Sequence, residues 1–123
     1  MTETTVFEVA GGQPFFDALV ERFYQHVEAD PALRRLYPED LAPGIRSLAL
    51  FLGQYWGGPA TYSEEKGHPR LRMRHAPFAI GGPERDAWLT AMLAALDEVD
   101  APEVAREMMR DYFNTASTAM INR

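Results

Sequence analysis

The chain has 123 residues, of which 46% are hydrophobic, and its formal net charge is −6 at pH 7. This length suits one domain with one hydrophobic core, so we expect residues 1–123 to form a single domain. The negative charge disfavours nucleic-acid binding, and the absence of cysteine excludes disulfides, iron–sulfur clusters and thiolate metal sites.

The first residues include Glu3 and Glu8 and lack the basic start of a signal peptide. No apolar run in the chain approaches the length that crosses a membrane. We therefore expect a cytoplasmic protein without membrane insertion.

The spacing of apolar residues predicts helices and no convincing strand. The first helix is predicted over residues 14–28, because apolar side chains recur there with helical spacing after Pro14. Asp30 and Pro31 are typical of a cap and a first turn, and they predict a short helical turn that extends through Leu36.

The same spacing predicts three more long helices. One covers residues 45–56 and stops at Gly57, and another begins at Gly82. Asp100 and Glu103 match a capping box at the start of the last helix.

The connection over residues 57–82 contains several prolines and glycines. Connections of this length inside a compact domain usually serve a function. Pro77 disfavours helical geometry at Ala76, so we expect His75 to lie in the last turn of a short helix beside a loop. There the imidazole is a candidate metal ligand, and the alternative is an ordinary hydrogen-bonded polar side chain.

Positive charge is concentrated just before His75. Lys66, Arg70, Arg72 and Arg74 fall within nine residues that contain no acid. Such a cluster is either a solvated basic face or a partner for an anion bound near the histidine.

Several short segments occur in a specific order and spacing. They are Gly11-Gly12, Phe23-Tyr24, Leu36-Tyr37-Pro38, residues 54–59, residues 67–78 and residues 85–89. In these segments the chain resembles the truncated haemoglobins, and specifically their second group. The resemblance covers nearly the whole chain, and it implies an all-α fold, a two-over-two helical sandwich around a noncovalently bound haem b.

The resemblance implies that His75 is the proximal ligand of the haem iron and that Tyr24, Tyr37 and Trp88 lie on the distal side. Two phenols and an indole donate hydrogen bonds to O₂ without offering a good sixth ligand, so we expect a pentacoordinate ferrous iron. Without the resemblance, Tyr24 and Trp88 would be interpreted as core residues and Tyr37 as a turn residue. Gly44 stands where many globins carry histidine or glutamine, and it predicts an unobstructed pocket mouth or a local backbone device.

The haem propionates require cations or phenols at the pocket edge. Arg72, three residues before His75 on the same helical face, is the first candidate, and Tyr62 and Lys66 are further candidates. The apolar residues expected against the porphyrin, for which ordinary core packing is the alternative, are Leu48, Phe51, Leu52, Phe78, Met92 and Met109.

Three functional hypotheses follow. The first is a protein that binds O₂ and other diatomic ligands and retains O₂ through hydrogen bonds from Trp88, Tyr37 and Tyr24. The second is a redox enzyme that uses the haem for peroxide reduction or nitric oxide dioxygenation and receives electrons from a separate reductase. The third is a haem-free helical interaction module. We expect a monomer or a weak homodimer.

Overall fold

The computed structural model describes residues 4–123, and within that range it contains helices and connecting turns but no strand. The all-α prediction is therefore confirmed for this part of the chain. The helices are α1 (Val6–Ala10), α2 (Gln13–Ala29), α3 (Pro31–Arg34), α4 (Ala42–Tyr55), α5 (Thr61–Lys66), α6 (Leu71–His75), α7 (Gly82–Glu98) and α8 (Glu103–Ala119).

The four long helices build the core. Helix α2 packs against both α4 and α7, and α7 packs against α8. Full burial of a large apolar side chain stabilises a fold by about 1.5–3 kcal/mol, so the completely buried residues of these helices supply most of the stability. They include Phe16, Leu19, Phe23, Leu52, Met92, Leu96, Met109 and Phe113. No helix in residues 4–123 combines the length and apolar character needed to cross a bilayer.

The ends of the helices agree with the sequence at some positions and differ at others. The Asp30 carboxylate accepts a hydrogen bond from the Ala32 amide at 3.0 Å, which confirms the predicted cap of α3. The capping box predicted at Asp100 is wrong, because α8 begins at Glu103 and its cap position is occupied by Pro102. Asp100 thus precedes the helix by too many residues to cap it.

The segment between α4 and α7 contains α5 and α6, and α6 ends at His75. The predicted position of His75 in the last turn of a short helix is therefore confirmed. Gln54 fixes α5 on α4, since its carboxamide donates to the Ser63 hydroxyl at 2.7 Å and accepts from the Ser63 amide at 2.9 Å. These two hydrogen bonds hold the start of the segment against the long helix α4.

Candidate functional site

A cavity of about 300 Å³ lies among α2, α4, α6, α7 and α8. Its wall is mainly apolar and aromatic, which is typical of sites for large organic ligands. The residues that line it are Tyr24, Leu33, Leu36, Tyr37, Pro38, Leu48, Phe51, Leu52, Leu71, His75, Phe78, Ile80, Glu84, Arg85, Trp88, Tyr112, Phe113, Ala116, Ser117 and Met120.

His75 is half-buried at the wall of this cavity. Its Nδ1 atom lies 2.6 Å from the carbonyl oxygen of Leu71, one helical turn earlier. A carbonyl only accepts, so Nδ1 carries the proton and donates, and the lone pair of the neutral ring lies on Nε2. This arrangement fixes the ring orientation and makes Nε2 the atom that can bind a metal.

Two tyrosines and a tryptophan line the same cavity. The rings of Tyr24 and Tyr37 contact each other edge to face, with centroids 5.6 Å apart, and Trp88 packs on Phe23 at 5.4 Å. Burial raises the pKa of Tyr24 to about 12. Burial also raises the pKa of Tyr37, the nearby Tyr24 raises it further, and the interaction with Trp88 lowers it. Both phenols therefore stay protonated at neutral pH and can donate hydrogen bonds.

Gly44 lies against the hydroxyl of Tyr24. A Cβ atom added at Gly44 would be 2.7 Å from the Tyr24 oxygen, a distance shorter than real Cβ atoms adopt. Gly44 is not among the residues that line the cavity. The absence of a side chain at Gly44 thus leaves room for the Tyr24 hydroxyl, a role that the sequence did not indicate.

The apolar residues predicted against the porphyrin divide into two groups. Four of them line the cavity: Leu48, Phe51, Leu52 and Phe78. Met92 and Met109 do not line it, because both are completely buried in the core where the long helices pack together. The alternative of ordinary core packing therefore describes these two methionines.

Comparison with known proteins identifies the fold. Residues 5–122 match the family model of the bacterial-like globins. The chain belongs to that family. This globin is 39% identical over 112 residues to the group 2 truncated haemoglobin YjbI of Bacillus subtilis, and the match covers 91% of this chain and 85% of that protein.

Solved structures agree with this assignment. A haemoglobin from Chloroflexus aurantiacus is 60% identical to this globin with a TM-score of 0.96, and the match covers 98% of this chain and all (100%) of that chain. The group II truncated haemoglobin of Bacillus anthracis is 38% identical with a TM-score of 0.94, covering 99% of this chain and 94% of the other. The resemblance to group II truncated haemoglobins and the two-over-two fold are confirmed.

The family implies a haem cofactor that binds small diatomic ligands such as O₂, and the residues of this globin fit one. The oriented Nε2 of His75 suits an iron, and the apolar wall suits a porphyrin. Protonated hydrogen-bond donors line the same cavity as the histidine.

The basic and phenolic candidates for the propionates do not line the cavity of this globin. Arg72 and Lys66 are exposed, and Tyr62 is buried against the ring of Phe51 at 5.5 Å. The guanidinium of Arg74 donates hydrogen bonds to the carbonyl oxygens of Pro69 and Lys66. These bonds hold the backbone between α5 and α6.

Arg85 lines the cavity and was missed in the sequence. Its Nε is buried and makes an ion pair with Asp86 at 3.0 Å, but the N–H is not aligned for a hydrogen bond. The signal that could have found it is its position three residues before Trp88, on the same face of α7.

Proposed function

We propose that this globin binds haem b through Nε2 of His75 and holds O₂ at a pentacoordinate ferrous iron. Hydrogen bonds from Trp88, Tyr37 and Tyr24 retain the ligand. The observation that carries this proposal is the placement of an oriented histidine and three hydrogen-bond donors in the wall of one apolar cavity. Retention disfavours a role as a carrier that delivers O₂ quickly.

When bound, the haem would supply the iron that binds a diatomic ligand. The chain supplies the histidine, the hydrogen-bond donors and the apolar wall around it. The Leu71 carbonyl orients the imidazole and raises its basicity as a ligand. Each buried hydrogen bond that is lost on ligand release is worth about 1 kcal/mol, so several donors slow release by orders of magnitude. The wall is mainly apolar, so it offers few groups that would compete with the ligand for these donors.

One relative supports this function, and the variants of a second match the positions of Tyr24 and Trp88. A truncated haemoglobin from Bacillus subtilis, 38% identical with a TM-score of 0.92, is described as oxygen-avid. Crystal structures of the Bacillus anthracis protein include one variant with a tyrosine replaced and one with a tryptophan replaced. In that chain the two replaced residues are separated by the same number of positions as Tyr24 and Trp88 are here.

For the propionates, we place Arg85 ahead of Arg72, Lys66 and Tyr62, because among these four it alone lines the cavity. A buried guanidinium N–H without an aligned acceptor suits a carboxylate. Arg72 and Lys66, being exposed, would reach a propionate only from the solvent side.

Absorption spectra of the purified, haem-reconstituted protein test the proposal. We expect a strong Soret band, a pentacoordinate spectrum after reduction with dithionite, and conversion to a hexacoordinate spectrum with CO. A hexacoordinate spectrum in the reduced protein before CO is added would contradict the proposed coordination. Failure to take up haem would leave the helical interaction module in its place.

The variant Gly44→Ala is expected to speed O₂ release about threefold or more, which corresponds to ~0.7 kcal/mol, because the added methyl displaces the Tyr24 hydroxyl from its hydrogen-bonding position. The measurement is the O₂ dissociation rate by stopped-flow absorbance.

Gly82→Ala is the matched control for this experiment, since a Cβ at Gly82 would meet no atom within 4 Å. The effect of Gly44→Ala must disappear when Tyr24 is also replaced by phenylalanine. An equal effect in the Tyr24→Phe background would show that Gly44 does not act through Tyr24.

A further inference from the structure

Asn122 joins the segment after α8 to the loop between α6 and α7. Its side-chain oxygen accepts from the Ile80 amide at 2.9 Å, and its side-chain nitrogen donates to the carbonyl oxygens of Phe78 at 2.8 Å and His75 at 3.4 Å. The Asn122 amide also donates to the Ile80 carbonyl at 2.8 Å. Asn122 thus makes four hydrogen bonds to the backbone of three residues: Ile80 and Phe78 in the loop, and His75 at the end of α6.

The helix that carries His75 needs such an anchor. Helix α6 has five residues, and none of them is buried. A helix of this length is not stable by itself, and its apolar packing is limited to the partly buried side chain of Leu71. At its start, Arg74 donates to the carbonyl oxygens of Lys66 and Pro69. At its end, the equivalent contacts come from Asn122.

The loop also forms part of the cavity wall. His75, Phe78 and Ile80 all line the cavity, and all three are residues whose backbone Asn122 holds. A displacement of this loop would therefore move the histidine and two apolar wall residues together.

We propose that Asn122 is a positioning residue for His75, which holds the end of α6 so that the imidazole keeps one orientation toward the iron. This inference rests on the proposed role of His75 as the iron ligand. A carboxamide suits the task because it donates and accepts at once. Aspartate would keep the acceptor for the Ile80 amide and lose the donor to the Phe78 and His75 carbonyls.

The experiment compares wild type with Asn122→Ala, Asn122→Asp and the control Asn114→Ala. Asn114 is an exposed asparagine of α8 whose side chain makes no hydrogen bond within residues 4–123. Hydrogen exchange of the Ile80 amide is measured in the haem-free protein. The rate of haem loss to a scavenger globin and the iron–histidine stretching band in resonance Raman spectra are measured in the loaded protein.

For Asn122→Ala we expect about tenfold faster exchange of the Ile80 amide, because its acceptor is lost together with the neighbouring contacts. We also expect haem loss at least about threefold faster and a shifted or broadened iron–histidine band, because the imidazole is held less firmly. Asn122→Asp should keep more of the Ile80 protection, and it gives a readout even if the alanine variant is too unstable to study. Asn114→Ala should match wild type in all three measurements.

If exchange at Ile80 rises while the iron–histidine band and the haem-loss rate match wild type, Asn122 only supports the loop and the inference is overturned. A separate variant, His75→Gly, distinguishes this from failure of the proposed function. An iron–histidine band that persists in His75→Gly would show that another residue binds the iron, whatever the exchange result at Ile80.

Discussion

Replacement of His75 by glycine is expected to remove the iron–histidine band and to weaken haem binding by more than about 100-fold. Loss of a residue that only supports a metal ligand costs up to about 100-fold in affinity, and loss of the ligand itself should cost more. The core of the four long helices does not include this side chain, so helical content should persist. The measurements are the reduced absorption spectrum, the resonance Raman band and the circular dichroism of the variant.

Exogenous imidazole provides a positive control, since it can enter the space left by the missing ring and restore a nitrogen ligand. The matched histidine control is His26→Ala. His26 lies on α2, and its Nε2 atom is 3.0 Å from the carboxylate of Glu98 on α7. It does not line the cavity. A wild-type iron–histidine band in the glycine variant would refute the assignment of His75 as the ligand.

Replacement of Trp88 by phenylalanine is expected to raise the O₂ dissociation rate by about tenfold or more, equivalent to ~1.4 kcal/mol. In the proposed function the indole N–H is the principal donor, and phenylalanine removes it but keeps most of the apolar volume. Stopped-flow displacement of O₂ by CO measures the rate. An unchanged rate would remove Trp88 from the role of donor.

Trp56→Phe is the control for general effects of removing an indole. Trp56 has a buried indole N–H without a hydrogen-bond partner in residues 4–123, and it does not line the cavity. Its replacement should leave O₂ release unchanged. The same apparatus separates binding from catalysis: if oxygenated wild-type protein, supplied with an electron donor that returns the ferric iron to the ferrous state, consumes many equivalents of nitric oxide per haem, the function is that of a redox enzyme.

Helices α2, α4 and α8 could be predicted because each buries one apolar face, and such a face leaves a periodic pattern in the sequence. Helix α7 packs against α2, α3 and α8, and its apolar residues are less confined to one face. Helix α1 leaves no such pattern. Its start depends on a hydrogen bond from the Glu8 amide to the Thr5 hydroxyl, and the Phe7 amide bonds the distant Trp56 carbonyl. The three-residue spacing of Thr5 and Glu8 is a local capping signal that could have been used, whereas the bond to Trp56 is tertiary and is not visible in local spacing.

The candidate site shows the same division. The polar residues of the cavity wall could be chosen from motif order, but apolar spacing could not separate Leu52, at the cavity wall, from Met92, in the core, because both positions are buried. The cluster of basic residues before His75 favoured Arg72 as the propionate partner, whereas the arginine that lines the cavity is Arg85, in the next helix. Asn122 belongs to no pattern, since its partners lie more than forty positions away.

The absence of buried residues in α6 also bears on how the apoprotein acquires its prosthetic group. Opening α6 and its flanking loops breaks the hydrogen bonds made by Arg74 and Asn122 and separates only partly buried apolar side chains, such as Leu71 and Ile80, from the rest of the protein. The free energy of this local opening is therefore far below that of global unfolding. This segment can therefore open while the packing of the four long helices stays intact, and under the proposed coordination by His75 the bound iron would hold it closed.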